Sequence, residues 1–147
     1  MKREFLKELV KWRDHSRRKP LLVTGVRQCG KTHTLKEFGQ NYFDNVCYVN
    51  LESSSHYAAI FEYDFDVQRI IREIELMEQC TITPGKTLLI LDEIQEVPRA
   101  ITSLKYFCEN MRELHVACAG SLLGVALKNE NIAFPVEIGR ASCRERV

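Results

Sequence analysis

The sequence predicts an α/β fold built on a mainly parallel sheet, and three observations carry that prediction. Strand-like runs alternate with helix-like segments along the chain. Two of the runs, residues 21–23 and 88–91, are continuously apolar, the pattern of strands covered on both faces. A glycine-bounded loop, 25–32, joins the first of these strands directly to a helical pattern.

The elements follow in order. Phe5, Leu6, Leu9, Val10 and Trp12 recur at helical spacing and predict an amphipathic helix over 2–16. Arg17, Arg18 and Lys19 read as a solvated charge run before Pro20 and the first strand. After the loop, a helix over 32–43 places Leu35, Phe38 and Tyr42 on one face. Residues 46–51 alternate and are rich in strand formers, so they form the second strand, ended by the polar stretch 52–56. Ile70, Ile71, Ile74 and Met77 mark a helix over 67–80. The Pro84-Gly85 turn leads into a third strand, 87–91, which runs into Asp92 and Glu93. Pro98 suits the first turn of a helix over 99–111. The fourth strand is 114–119, followed by Gly120-Ser121 and a short apolar helix around 122–127. No internal repeat or linker interrupts the pattern.

Composition sets the outer limits. The 147 residues are 45% hydrophobic and 28% charged with a formal charge of +1, which excludes collagen-like and disordered classes. Near-neutrality provides no electrostatic signal for nucleic acid or an acidic membrane surface. No apolar run approaches the roughly 20 residues a bilayer span needs. Met1-Lys2-Arg3-Glu4 opens an amphipathic pattern without an apolar signal core, so the cytoplasm is the expected compartment. The six cysteines form no CxxC pair and no zinc-site spacing, and reduced thiols are expected. His15, His33, His56 and His115 are dispersed, each expected as a surface or satisfied side chain.

The end of the chain reads differently. Residues 138–147, IGRASCRERV, translate one frame of a widely used short-read sequencing adapter, ATC GGA AGA GCG TCG TGT AGG GAA AGA GTG. The next adapter codon is the stop TAG, and the AG preceding ATC is accommodated by the GAG codon of Glu137. Residues 137–147 are therefore expected to be adapter-derived, with a native part of 1–136. Setting 138–147 aside removes three arginines, one glutamate and Cys143, leaving a slightly acidic chain with an odd number of cysteines.

Three motifs carry chemistry. Gly25-Val26-Arg27-Gln28-Cys29-Gly30-Lys31-Thr32 fits G-x-x-x-x-G-K-[ST], the phosphate-binding P-loop. Average residue usage yields this pattern by chance in about one chain of this length in 200. Its glycines let successive backbone N–H groups point inward at a phosphate, and the following helix adds its positive end. Lys31 would neutralise the β and γ phosphates, and the Thr32 hydroxyl would ligate Mg²⁺. Leu88-Leu89-Ile90-Leu91-Asp92-Glu93 is an apolar strand ending in two carboxylates. Asp92 is suited to hold Mg²⁺, and Glu93 to orient and deprotonate an attacking water. Ser121, at the tip of the fourth strand, is placed to sense the γ-phosphate or position the water; a simple turn serine is the alternative.

These elements resemble the AAA+ superfamily of P-loop ATPases, and more narrowly a prokaryotic predicted-ATPase group with a C-terminal domain of unknown function. The resemblance rests on Gly25-Val26-Arg27-Gln28, Tyr48-Val49-Asn50-Leu51-Glu52, Leu91-Asp92-Glu93-Ile94-Gln95-Glu96-Val97-Pro98, and Ala119-Gly120-Ser121-Leu122-Leu123-Gly124 before Phe134-Pro135-Val136. It covers residues 1–136 and implies a three-layer P-loop NTPase of AAA+/ASCE type. By resemblance, the loop from Gly25 through Cys29, Gly30, Lys31, Thr32 and His33 binds ATP, and Thr32 and Asp92 hold Mg²⁺. Glu93, Lys31 and Ser121 serve catalysis. Cys29 stands where the family often has a small aliphatic residue, and His33 replaces a more usual Thr, Tyr or Ser. The implied strand order is 5-1-4-3-2, with the chain truncated before strand 5 and the helical lid, so that the first strand becomes an exposed edge. An arginine finger, a second sensor and the C-terminal domain would lie beyond it. The intact protein is a candidate homo-oligomer.

The function expected is Mg²⁺-dependent ATP hydrolysis coupled to conformational work. The alternative is a regulatory switch that binds ATP and hydrolyses it slowly or not at all. Glu93 favours the first, because a pure switch has less need of a base beside the Mg²⁺ aspartate. A small-molecule kinase is disfavoured, since Glu93 would supply an activated water and no acceptor-substrate motif is visible.

Overall fold

The computed structural model describes residues 2–25, 30–121 and 137–140. The chain runs α1 (Lys2–Asp14), β1 (Leu21–Gly25), α2 (Lys31–Tyr42), β2 (Asn45–Asn50), α3 (Ser55–Tyr63), α4 (Val67–Glu78) and β3 (Thr87–Asp92). A single 3₁₀ turn, Ile94–Glu96, then precedes α5 (Pro98–Asn110), β4 (His115–Ser121) and β5 (Glu137–Arg140). The strands form one parallel sheet in the order β2-β3-β4-β1-β5.

Strand alternation sorts the core into two halves. Leu21 and Val23, Leu88 and Ile90, and Ala117 and Ala119 pack with Phe5, Leu9 and Trp12 of α1 and Leu35 and Phe38 of α2. Leu22, Leu89, Leu91, Val116 and Cys118 instead pack with Tyr57, Ile60 and Phe61 of α3, Ile70 and Ile74 of α4, and Leu104 and Phe107 of α5. Neighbouring residues of a strand point to opposite faces, so a continuously apolar strand feeds both halves. The result is helix, sheet and helix in three layers, as the sequence predicts. Among the described residues no helix is long and apolar enough to cross a membrane.

The structure departs from the sequence reading in four places. A separate helix, α3, follows β2, where only a polar stretch is legible. The Ser54 hydroxyl caps it by accepting from the backbone N–H of His56 at 3.1 Å. Arg69 Nη2 and Arg99 Nε then donate to the carbonyls of Ile60 and Phe61, at 2.6 and 2.9 Å, satisfying its last turn. Arg18 is not a solvated charge: Nη2 donates to the carbonyls of Arg112 and Glu113, 3.2 and 3.1 Å away, tying the approach to β1 to the approach to β4. His115 is 6% exposed and only half satisfied: Nε2 meets the carbonyl of Arg13 at 3.1 Å, while Nδ1 has no partner among the described residues.

The fourth is an edge strand, formed by residues that the sequence reading sets aside as adapter-derived. Glu137–Arg140 pairs in parallel with β1, Leu21 opposite Glu137 through Thr24 opposite Arg140. The edge of β1 presents a row of N–H and C=O groups that any extended backbone can satisfy, whatever its side chains, and a four-residue strand does so. The apolar helix expected around 122–127 and the Phe134-Pro135-Val136 segment lie outside the described residues.

Candidate active site

The parallel sheet brings the C-terminal ends of β1, β3 and β4 to one edge. Ser121, the last residue of β4, is in register with Gly25, the last residue of β1. Val26, Arg27, Gln28 and Cys29 lie outside the described residues. Past them, Gly30 adopts a left-handed conformation, φ 79°, immediately before α2, a backbone that favours glycine at this joint. Lys31 is the first residue of α2, so the backbone N–H groups and positive end of that helix open on the same edge. For Lys31 and Ser121 the structure describes the backbone alone.

Asp92 is the centre of the site. It ends β3, is 6% exposed, and shares the parity of Leu88 and Ile90, so it faces the α2 layer. Thr32 Oγ1 donates to its Oδ2 at 3.0 Å, across 60 residues of sequence. The backbone N–H of Glu93 donates to Oδ1 at 2.8 Å. The Tyr48 hydroxyl, from β2, donates to Oδ2 at 2.5 Å. Burial, and then the carboxylate beside it, push the Tyr48 phenol well above its ordinary range, so it remains a donor. Lys36 Nζ stands 3.8 Å from the centre of the Tyr48 ring.

Glu93 leaves the strand in a left-handed backbone, φ 54° and ψ 47°, which turns it away from the strand alternation. Its Oε1 accepts from Gln95 Nε2 at 2.8 Å. His33 is exposed on α2, with Nε2 3.5 Å from Glu37 Oε2. Sequence alone assigns no role to Tyr48 or Gln95, although both lie in segments that carry the resemblance. The signal for Tyr48 is its parity in β2 against Asp92 in β3, visible once the two strands are known to pair. A separate open cleft of about 740 Å³ between α3 and α4, lined by His56, Ile60, Tyr63, Arg69 and Met77 among others, contains none of the candidate residues.

A hard divalent cation fits this arrangement. A hydroxyl and a buried carboxylate oxygen converge from two elements, and Mg²⁺ takes one or two such protein donors, with water and phosphate oxygens completing its shell. A loop between strand and helix that contains a left-handed glycine, followed by a threonine meeting a strand-end aspartate, defines a P-loop NTPase fold.

Residues 17–136 match the AAA domain family, and the chain belongs to it. It is thus a nucleotide-binding protein of the P-loop ATPase type. Among solved structures it is similar to the Pif1 helicase from Candida albicans, with 15% identity and a TM-score of 0.49, covering 96% of this chain and 38% of that one. The Aeropyrum pernix ORC1 protein in complex with DNA gives 14% and 0.49, covering 93% and 43%. PCH-2 of C. elegans gives 16% and 0.48, covering 95% and 42%. The chain thus spans less than half the length of these structures. A comparison with curated proteins returns no match.

Proposed function

We propose that the chain is the nucleotide-binding core of an ATPase that binds ATP with Mg²⁺ and hydrolyses it. The observation that carries this reading is the 3.0 Å contact of Thr32 Oγ1 with Asp92 Oδ2, with Glu93 next in the chain and turned out of the strand. Mg²⁺, when bound, neutralises phosphate charge. The chain's residues do the rest. Backbone N–H groups from Gly25 through Val26, Arg27, Gln28, Cys29, Gly30 and on to His33 cradle the phosphates, and Lys31 neutralises them. Thr32 and Asp92 hold the cation, and Glu93 orients the attacking water and takes its proton at a carboxylate oxygen. Ser121, paired with Gly25, stands at the tip of β4 to contact the γ-phosphate.

We assign residues 1–136 to a partial AAA+ core and 137–147 to adapter-derived sequence, a division supported by the ten-residue match of 138–147 to the translated adapter. The intact protein is proposed to act in the cytoplasm as a homo-oligomer.

Glu93→Gln tests the reading. Binding of a fluorescent ATP analogue should survive, while phosphate release falls by about 10²-fold or more. Unchanged turnover would sink hydrolysis through Glu93. The second reading, a slow or non-hydrolysing switch, is favoured by one observation: Gln95 already engages Glu93 Oε1.

A further inference from the structure

We propose that Tyr48 is a positioning residue of the cation site, fixing the Asp92 carboxylate so that it is set to receive Mg²⁺. The inference rests on the ATP–Mg²⁺ reading above and deepens it. Asp92 is held at three points: Oδ1 by the Glu93 N–H at 2.8 Å, and Oδ2 by Thr32 Oγ1 at 3.0 Å and the Tyr48 hydroxyl at 2.5 Å. A carboxylate offers about four lone-pair sites, so three donors leave one for the cation or its water. Thr32 is itself a cation donor, and the Glu93 N–H sits on a turn. Tyr48 is the side chain that reaches Oδ2 from a different strand, with a hydroxyl that adds no charge to the site.

The phenol is itself anchored. Tyr48 belongs to the α2 face of β2 and, like Val46 and Phe43, packs against that half of the core. Lys36 lies one helical turn beyond Thr32 on α2, and its ammonium stands over the Tyr48 ring. One helix therefore supplies both the cation's hydroxyl and the clamp on the residue that orients the cation's carboxylate. Partners of this kind, one step removed from the metal, typically change metal affinity about 10- to 100-fold when removed.

The test is Tyr48→Phe in the full 147-residue chain, which deletes one oxygen and keeps the ring. Fluorescent ATP-analogue binding is titrated with Mg²⁺, and repeated in EDTA, alongside thermal melting without ligand. We expect the variant to melt cooperatively, lower by a few degrees for the lost hydrogen bond, and to bind metal-free nucleotide as the wild type does, while the Mg²⁺ midpoint rises about tenfold. Tyr48→His, whose ring N–H donates in place of the hydroxyl, should fall between the two, and it serves alone should the Phe variant not fold. A wild-type midpoint in both variants overturns the role of Tyr48 and leaves the ATPase reading standing. Absence of any Mg²⁺-dependent nucleotide binding in the wild type overturns both.

Discussion

Gln95 donates to Glu93, Nε2 to Oε1 at 2.8 Å, across the 3₁₀ turn that follows β3. The oxygen so engaged is a weaker proton acceptor for as long as the amide donates to it. A hydrogen bond to an ionised carboxylate is worth about 1.5–3 kcal/mol, and only part of it is lost when the oxygen takes a proton, so freeing that oxygen is worth about a two- to tenfold change in rate. Gln95→Ala should therefore raise phosphate release at saturating ATP by that factor, with nucleotide affinity unchanged. Slower release would mean that Gln95 orients Glu93 productively and does not restrain it.

Gly39 sets how closely α2 approaches the sheet. A Cβ there would lie 2.4 Å from Val46 Cγ2 and 3.0 Å from Leu88 Cδ2, and valine has no flexible far end to withdraw. Gly39→Ala gains up to about 1 kcal/mol of helix propensity and meets an overpacking cost of about 1–3 kcal/mol. We expect net destabilisation in urea unfolding. Combining it with Val46→Ala should cost less than the sum of the two single changes, because the second vacates the space the first needs. Strict additivity would show that the helix simply shifts away.

The layers were legible because they rest on side-chain parity and apolar runs, which the sequence displays directly. Leu88–Leu91, short and preceded by the Pro84-Gly85 turn, reads as a strand buried on both faces, and the residues at its end inherit their position from it. The loop glycines and Thr32 were legible because phosphate chemistry demands those types at that spacing. Tyr48 was not, since its role exists only through the pairing of β2 with β3, a contact 44 residues long in sequence. Arg18 escaped for the same reason: the carbonyls that hold it belong to a turn 94 residues away. Two-turn α3 was hidden by its polar cap and by aromatic residues that suit strands equally well. β5 escaped because edge pairing is a backbone property that its side chains do not announce.

The pairing of β5 with β1 has a consequence for solubility. Removing residues 137–147 would uncover the outer edge of β1, whose Leu21, Leu22 and Val23 are at most 5% exposed. An apolar, unpaired strand edge is a template for association. The 1–136 chain should scatter light and elute as larger species under conditions where the 147-residue chain does so less. Equal behaviour of the two would mean that β5 contributes no protection.

His115 gives stability a pH dependence at the opposite end of the sheet from Asp92. Its ring lies between Trp12 and Phe43, with centroid distances of 5.5 and 4.9 Å, and Nε2 donates to the carbonyl of Arg13 at 3.1 Å. Burial lowers its pKa to about 4, with Arg18 and Arg13 acting in the same direction and the Arg13 carbonyl and Asp14 opposing. The unfolded chain, with an ordinary histidine near 6.5, binds a proton that the folded chain refuses between those values. Stability is therefore fully present above about pH 6.5, falls as pH drops toward 4, and loses nothing further from this group below that. The loss is at most about 3 kcal/mol. His115→Phe removes the titrating group, so urea unfolding of that variant should lose less stability than the wild type between pH 6.5 and 4. Parallel profiles would place the acid sensitivity elsewhere.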